Sequence, residues 1–475
     1  MPNINLEKPS KPTRQFYWIP VLIFVPFSWL ICRLADFNGL YGQDSHEYLR
    51  YSKELANYLT GGPDPGLFFW PVTYPLIAAF VSFVIPSILS LQFVSIVSAA
   101  ICYTYFGKTI NLVYPGGTQR QRYSLLFFLC SPFFLRAAVI GMSDMLCCTL
   151  IVCSIYHTIN AEKKPESNSL VIAILLGILA IQTRYVSGIL LLPLLVLFMR
   201  TIRKRRLFFF FGIAATVLAI TPSIFFKQNH AFEFLDHPWL SDWSVLNWFR
   251  KDFTNIEGDF LYTFPNILYI LSPILHPGYC FLGIMLLYFT IKSKVLVSKW
   301  WLATVIIYLL FLAGIPFQNL RFIFVVFPLV LLLLYPGYEL LMEKYTNRTF
   351  KLVFLIVILI LQAGLTLRAV KPFYDYQKEE KIIAEELNKI PPQELYTFAI
   401  DGALRTYEVP QDVINVWALQ NSLIPAGSLF LYNPTRFEAQ QNNMPPGKIY
   451  NRLKSQGKLT YFKVLPNGWQ LYRIR

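Results

Sequence analysis

The sequence predicts an α-helical polytopic membrane protein with a small α/β domain at its C-terminal end. Three observations predict it. Apolar runs able to cross a bilayer, about 20 residues each, recur from Phe16 to Leu367. The 475-residue chain is 55% hydrophobic and only 15% charged, where a soluble protein stands at about a quarter charged. From Pro372 the character changes, and one helical pattern is followed by strand-like runs bounded by turn residues.

The elements follow in order. Lys8, Lys11 and Arg14 precede the first span, Phe16–Leu34, and place the N-terminus in the cytoplasm. That run is long enough to span and no small-residue cleavage pattern follows it, so it reads as an anchor. Asp36–Trp70 then lies outside. Pro71–Phe106 exceeds one crossing: its start, PVTYPLIAAF, reads as an interfacial or re-entrant piece and its second half as span two. Lys108, Arg120 and Arg122 return the chain to the cytoplasm. Tyr123–Tyr156 reads as two short spans around an outer turn, Arg136–Asp144, and Lys163 and Lys164 mark the next inner turn. Leu170–Thr183 rises, Arg184–Tyr185 turns, and Val186–Met199 descends to the basic run Arg200–Arg206. Leu207–Phe226 goes out to a long loop, Lys227–Phe264. Pro265–Ile291 holds another interfacial piece and a descending span. Trp300–Pro316 rises to Gln318–Arg321, Phe322–Leu341 descends, and Leu352–Leu367 makes the last rise. The expected total is about eleven spans, N-terminus in and C-terminus out, with every basic cluster on one side.

Beyond the spans, Tyr376–Ile390 carries apolar residues at helical spacing. Strand-like runs follow at Leu395–Ile400, Val413–Ala418, Ser428–Tyr432, Leu459–Val464 and Trp469–Ile474, the last two joined by the turn-forming Asn467–Gly468. The expected division is a membrane module over 1–371 and an extracytoplasmic α/β domain over 372–475. The net charge of +15 sits in short clusters between spans, which suits topology control and anionic lipid rather than nucleic acid. The seven cysteines (Cys32, Cys102, Cys130, Cys147, Cys148, Cys153, Cys280) lie in or beside apolar runs. They form neither a disulfide framework nor a zinc pattern and read as small packing residues.

This topology collects ionisable groups on the outer face. Asp36, Asp44, His46, Glu47 and Arg50 fall in the first outer loop, and Arg136 and Asp144 in the second. Arg184 and Tyr185 form the third. His230, Asp236, His237, Asp242 and Asp252 lie in the fourth, and Arg321 in the fifth. A single arginine at a span end can be a snorkelling anchor, and most Trp and Tyr there suit the interfacial belt. Several arginines sharing a face with carboxylates point to a site. If a helix opens at Asp44, either Asp44 or Ser45 can cap it, and Asp44, Tyr48 and Tyr51 share a stripe. A carboxylate there can take the proton of an attacking hydroxyl or amine. One mechanism that needs these parts has the acceptor attack the anomeric carbon of a sugar whose leaving group is a lipid phosphate, with arginines stabilising the departing charge.

Five stretches, in order from Gly42 to Leu333, carry a resemblance: GQDSHEYLRYSKELA (Gly42–Ala56), WPVTYPLIAAF (Trp70–Phe80), SPFFLRAAVIGMSDMLCCTLIV (Ser131–Val152), QTRYVSGILLLPLLVLF (Gln182–Phe198) and NLRFIFVVFPLVLLL (Asn319–Leu333). With them the chain resembles integral-membrane glycosyltransferases of the GT-C class, in the bacterial protein-mannosyltransferase and lipid A aminoarabinose-transferase superfamily. The resemblance implies a polyprenyl-phosphate sugar donor, inversion at the anomeric carbon, and a glycan, lipid or protein acceptor. It maps the catalytic base onto Asp44 with Tyr48 beside it, and outer-face binding roles near Asp144, Arg184 and Arg321. Asp36, His46, Glu47, Arg136 and Tyr185 complete the candidate substrate contacts. The chain also departs from the pattern. Trp70 precedes a single Pro71, so Arg184 and Arg321 stand in for the basic group expected there. Ser45 follows Asp44, so no acidic pair supports a divalent metal, and His46 reads as a hydrogen-bonding or substrate contact. No cofactor is required by the sequence. The expected location is the bacterial inner membrane. The competing expectation is a transporter or flippase of lipid-linked sugars or other anionic envelope precursors, which would show inverted repeats and charges at the membrane midplane.

Overall fold

The computed structural model describes residues 18–165, 168–203, 207–227, 238–255, 258–295, 299–345, 347–419 and 424–475. His230, Asp236 and His237 lie outside the described residues. In chain order the first helices are α1 (Trp18–Leu34), α2 (Gly42–Leu59), α3 (Thr73–Val81), α4 (Ser87–Val113) and α5 (Arg120–Tyr123). Then come α6 (Pro132–Val139), α7 (Ser143–Lys163), α8 (Ser169–Ile181), α9 (Leu192–Ile202) and α10 (Leu207–Lys227). After α11 (Pro238–Ser241) a small hairpin, β1 (Asp252–Asn255) and β2 (Gly258–Leu261), leads to α12 (Asn266–Tyr269) and α13 (Ser272–Leu275). The helices α14 (Gly283–Ser293), α15 (Lys299–Gly314), α16 (Leu320–Lys344) and α17 (Arg348–Leu387) follow. The C-terminal part holds β3 (Glu394–Thr397), α18 (Asp401–Thr406), β4 (Asp412–Asn415), β5 (Leu429–Tyr432), α19 (Pro434–Gln441), α20 (Pro445–Ser455), β6 (Leu459–Val464) and β7 (Gln470–Ile474).

Among the described residues, five helical segments are long and apolar enough to cross a membrane: Ser87–Val113, Ser143–Lys163, Tyr185–Ile202, Leu320–Lys344 and Lys351–Leu387. Arg120–Leu129 and Pro132–Val139 qualify only together. Shorter apolar helices stand at Val21–Leu34, Ser169–Ile181, Phe209–Leu218, Gly283–Ser293 and Lys299–Gly314. Several of these turn large apolar side chains outward, including Leu22, Ile23 and Phe27 on α1 and Leu352, Ile356 and Ile360 on α17. Helices with every backbone group bonded internally and such an exterior suit lipid rather than water. The protein is an integral membrane protein.

The stretch read as two short spans in Tyr123–Tyr156 is built differently. A π-helical turn, Ser124–Leu129, follows α5, and the axis bends by 61° into α6. Pro132 has no N–H to continue the ladder and restricts Ser131 before it. The Ser131 hydroxyl instead donates to the Gly278 and Tyr279 carbonyls, at 3.1 and 3.0 Å. The segment Tyr185–Leu191 likewise begins as a 3₁₀ helix before α9. Tyr376–Ile390 is not a separate helix, because α17 runs unbroken through Pro372 to Leu387.

Two hydrophobic cores result. One gathers the membrane helices from Phe24 to Ile358, and the other runs from Ile383 on α17 through the C-terminal strands to Ile474. The second covers a mixed sheet of order β4-β3-β5-β7-β6. Its strand β3 runs parallel to β4 and β5, while β7 runs antiparallel to β5 and β6. All five strands lie on the strand-like runs of the sequence. Asn467 and Gly468 take φ of 55° and 84°, the left-handed pair that an Asn-Gly turn provides.

Candidate active site

The site is assembled from helix N-termini. Helix α2 starts after Tyr41, with Gly42 at φ 61°, a value other residues rarely adopt. The Ser45 hydroxyl accepts from the Tyr41 N–H at 2.7 Å and donates to the Tyr41 carbonyl at 2.6 Å. Neither Asp44 nor Ser45 is the N-cap residue, which is Tyr41. The Asp44 carboxylate is thereby left to reach across the fold. Its Oδ2 accepts from Arg321 Nη1 at 2.9 Å, and among the described residues it has no other hydrogen-bond partner.

Arg321 occupies the first turn of α16, where Asn319 caps the helix by accepting from the Arg321 N–H at 3.0 Å. The Tyr269 hydroxyl accepts from the Asn319 N–H at 3.0 Å, which fixes that cap. From there the Arg321 Nε donates to Asp144 Oδ2 at 2.9 Å. Arg184 Nη1 donates to Asp144 Oδ1, and its guanidinium lies 4.8 Å over the Phe322 ring. The result is a chain of alternating charges, Asp44–Arg321–Asp144–Arg184. Both carboxylates stand in the first turn of a helix, α2 and α7, where the macrodipole favours anions.

Packing holds this chain in place. The Tyr48 hydroxyl is hydrogen-bonded to Ser143 Oγ at 3.1 Å, and its ring packs on Phe68, Trp70 and Tyr74. Burial pushes the Tyr48 phenol up to about 12, so it stays neutral. The Thr73 N–H donates to the Gln182 carbonyl at 3.3 Å, tying α3 to the turn that carries Arg184. The Gly141 N–H donates to the Gly39 carbonyl at 2.9 Å. A Cβ at Gly39, whose φ is 80°, would lie 2.6 Å from the Val139 carbonyl oxygen.

Arg136 lies beside this chain on α6. Its guanidinium sits 4.2 Å over the Phe133 ring and 5.5 Å over Phe373. Among the described residues no carboxylate pairs with it. His276 stacks on the Phe133 ring, with centroids 4.9 Å apart. Burial lowers the His276 pKa first, and the charges of Arg136 and Arg368 lower it further. His276 therefore faces two positive charges, Arg136 and Arg368.

The remaining sequence candidates lie elsewhere. Asp36 is exposed and pairs with Lys381 on α17 at 2.6 Å. His46 is buried between Glu380 Oε2, at 3.1 Å, and Thr406 Oγ1, at 2.9 Å. Glu47 pairs with Arg50 on the same helix. Tyr185 is half-buried and opens the 3₁₀ turn after Arg184. Tyr41, Ser143, Asn319 and Glu380 are not among the sequence candidates, nor is Met142, whose Sδ accepts from Arg321 Nη2 at 3.4 Å. Of these, only Ser143 and Asn319 carried a signal, as polar residues placed where an apolar helix begins. Among the described residues no three His, Cys, Asp or Glu side chains come together to hold a metal ion.

The fold is similar to the crystal structures of ArnT from Cupriavidus metallidurans, at 12% identity over 95% of this chain and 97% of that one. The TM-score is 0.58 for ArnT bound to undecaprenyl phosphate and 0.60 for the apo state. The Archaeoglobus fulgidus oligosaccharyltransferase tethered to an acceptor peptide aligns at 11% identity and TM-score 0.47, over 97% of this chain and 74% of that one. A search of curated proteins finds no match. This membrane-embedded helical fold, with a charged site gathered at helix N-termini, defines a membrane glycosyltransferase of the GT-C class. The profile of the Alg9-like mannosyltransferase family matches residues 65–392, and the chain belongs to that family. The matched span includes Arg136, Asp144, Arg184 and Arg321 and begins after Asp44.

Proposed function

We propose that this glycosyltransferase moves a sugar from a polyprenyl-phosphate-linked donor to an acceptor at the extracytoplasmic face, with Asp44 as general base. One observation carries the reading. The Asp44 carboxylate is held by Arg321 through one oxygen, while the other is unpartnered among the described residues and the side chain is 37% exposed. That oxygen can take the proton of an acceptor hydroxyl or amine. The acceptor then attacks the anomeric carbon, the bond to the phosphate oxygen breaks on the opposite face, and the sugar is inverted. The leaving polyprenyl phosphate takes up the negative charge. Arg136, which has no carboxylate partner among the described residues, suits that charge best, and Arg184 and Arg321 add to the positive field around it. ArnT, which shares the fold, binds undecaprenyl phosphate, and this supports a donor of the same class here.

In this reading 1–371 form the membrane module and 372–475 an extracytoplasmic domain, with the N-terminus cytoplasmic in a bacterial inner membrane. The sugar donor supplies the activated leaving group, and in this reading no step is routed through a metal or cofactor. The test is mass spectrometry of envelope glycolipids and glycans in cells with the protein, without it, and with Asp44→Asn. We expect a glycosylated species that requires the wild-type chain and is lost with Asp44→Asn, while the variant still binds a polyprenyl phosphate. Full product from Asp44→Asn would remove Asp44 as the base. Movement of lipid-linked sugar between leaflets with no change in any glycosylated species would favour a transporter instead.

A further inference from the structure

We infer that Glu380, on the C-terminal extension of α17, is a positioning residue that sets the place of Asp44; this rests on Asp44 being the base. The N–H groups of a helix's first turn have no partner within the helix. In α2 the Gly42 N–H donates to Glu380 Oε1 at 3.1 Å. The other oxygen, Oε2, accepts from His46 Nε2 at 3.1 Å. One carboxylate thus grips the residues two before and two after Asp44. Glu380 and His46 are each 1% exposed.

A second layer holds the same turn from α18. His46 Nδ1 meets Thr406 Oγ1 at 2.9 Å, and that hydroxyl donates to the Gly402 carbonyl at 2.9 Å. The Gln43 side chain donates to Asp401 and accepts from the Gly402 N–H at 3.3 Å. Upstream, Gln377 accepts from the Asn38 N–H and donates to the Asp36 carbonyl, both at 2.9 Å. Lys381 pairs with Asp36. Gln377, Glu380 and Lys381 are spaced i, i+3 and i+4, so they share one face of α17. Among the described residues, the hydrogen bonds that Gly42, Gln43 and His46 make across the fold go to the C-terminal part, whereas Asp44 turns away from it to Arg321.

The chemistry explains why a carboxylate stands here. Apolar groups of similar volume would hold two elements together at no greater cost in stability. A buried carboxylate adds direction, because its two oxygens fix a backbone amide and an imidazole at set angles. A shift of the α2 first turn moves Asp44 relative to Arg321 and to any acceptor. The C-terminal module therefore sets the geometry of the reaction without touching substrate.

The test compares Glu380→Ala, Glu380→Gln and Thr406→Val in the full-length protein. Three readouts apply: product by envelope mass spectrometry, binding of a polyprenyl phosphate, and amide hydrogen exchange over residues 38–47. For Glu380→Ala we expect product formation to fall about a hundredfold, the effect of a displacement of roughly an ångström at a reacting group. Exchange over 38–47 should quicken, while polyprenyl phosphate binding and exchange in β3 and β5 stay as in wild type. Glu380→Gln should restore most of the product, since its amide oxygen still accepts from Gly42. Full product from Glu380→Ala, or lost product without quicker exchange over 38–47, overturns the inference. If Glu380→Ala melts the sheet, Thr406→Val decides, since it keeps Glu380 and its bond to Gly42 and removes only the hydroxyl that meets His46 and the Gly402 carbonyl: exchange over 38–47 and product must then change together. A wild-type chain that makes no glycosylated product defeats the proposed function, yet leaves the exchange result to report on the clamp.

Discussion

Asp44 and Asp144 are two versions of one arrangement. Each stands in the first turn of a helix and each accepts from Arg321 at 2.9 Å. They differ in what else surrounds them. The Asp144 side chain is 6% exposed and its second oxygen is taken by Arg184. The Asp44 side chain is 37% exposed and, among the described residues, pairs with Arg321 alone. A general base must reach the proton it removes, and Asp144 has no oxygen left to do so. The difference teaches a division of labour: Asp144 fixes Arg321, and Arg321 presents Asp44.

The largest expected effects break that comparison from its two sides. Asp44→Asn keeps the shape and a hydrogen-bond acceptor but removes the base, so single-turnover product formation should fall by about 10²–10⁴-fold. Its unfolding midpoint in detergent should match wild type. Asp144→Asn should do the reverse in stability, because it leaves the half-buried guanidinium groups of Arg184 and Arg321 facing a neutral amide at a buried position. Breaking a buried pair from one side costs about 3–5 kcal/mol, readable by reversible unfolding in mixed micelles. An Asp144→Asn protein as stable as wild type would erase the distinction drawn between the two acids.

Arg136 sharpens the comparison from the cationic side. Arg321 is engaged by two carboxylates, whereas Arg136 lies over the faces of Phe133 and Phe373 and, among the described residues, forms no ion pair with a carboxylate. Arg136→Ala should therefore weaken binding of a polyprenyl phosphate by the worth of one charge-assisted hydrogen bond, about 1.5–3 kcal/mol. The measurement is a titration of the purified protein with the lipid. Unchanged affinity would return Arg136 to the role of an interfacial anchor.

Much of this was legible because charge placement sets topology. Counting basic clusters put Asp44, Asp144, Arg184 and Arg321 on one face, and the structure joins those four in one chain of ion pairs. The five C-terminal strands were legible from alternation and turns. What the sequence hides is direction. Asp44, His46 and Glu47 read as one cluster, yet a helix turns about 100° per residue. Asp44 goes to Arg321, His46 to Glu380 and Glu47 to Arg50. Glu380 sits 334 residues from its partner His46, and nothing in its own neighbourhood marks it as more than one charge on a polar helix. The 61° bend before α6 was hidden for another reason: an apolar run keeps the same composition whether its helix is straight or broken.

Glu47 supplies the smallest expected effect and the most direct check on direction. Its side chain is 32% exposed and shares Arg50 with Glu54, and Arg50 also donates to the Leu67 carbonyl at 3.2 Å. These are pairs along one helix face in contact with water, each worth about 0.3–0.5 kcal/mol. Glu47→Ala leaves Arg50 with Glu54 and Leu67, so the unfolding midpoint should move only slightly, and less at high salt, where such pairs are screened. Product formation should equal wild type, because among the described residues no hydrogen bond or ion pair joins Glu47 to Arg321. A loss of product comparable to that of Asp44→Asn would mean that the face of α2 carrying Glu47, not the one carrying Asp44, meets the substrate.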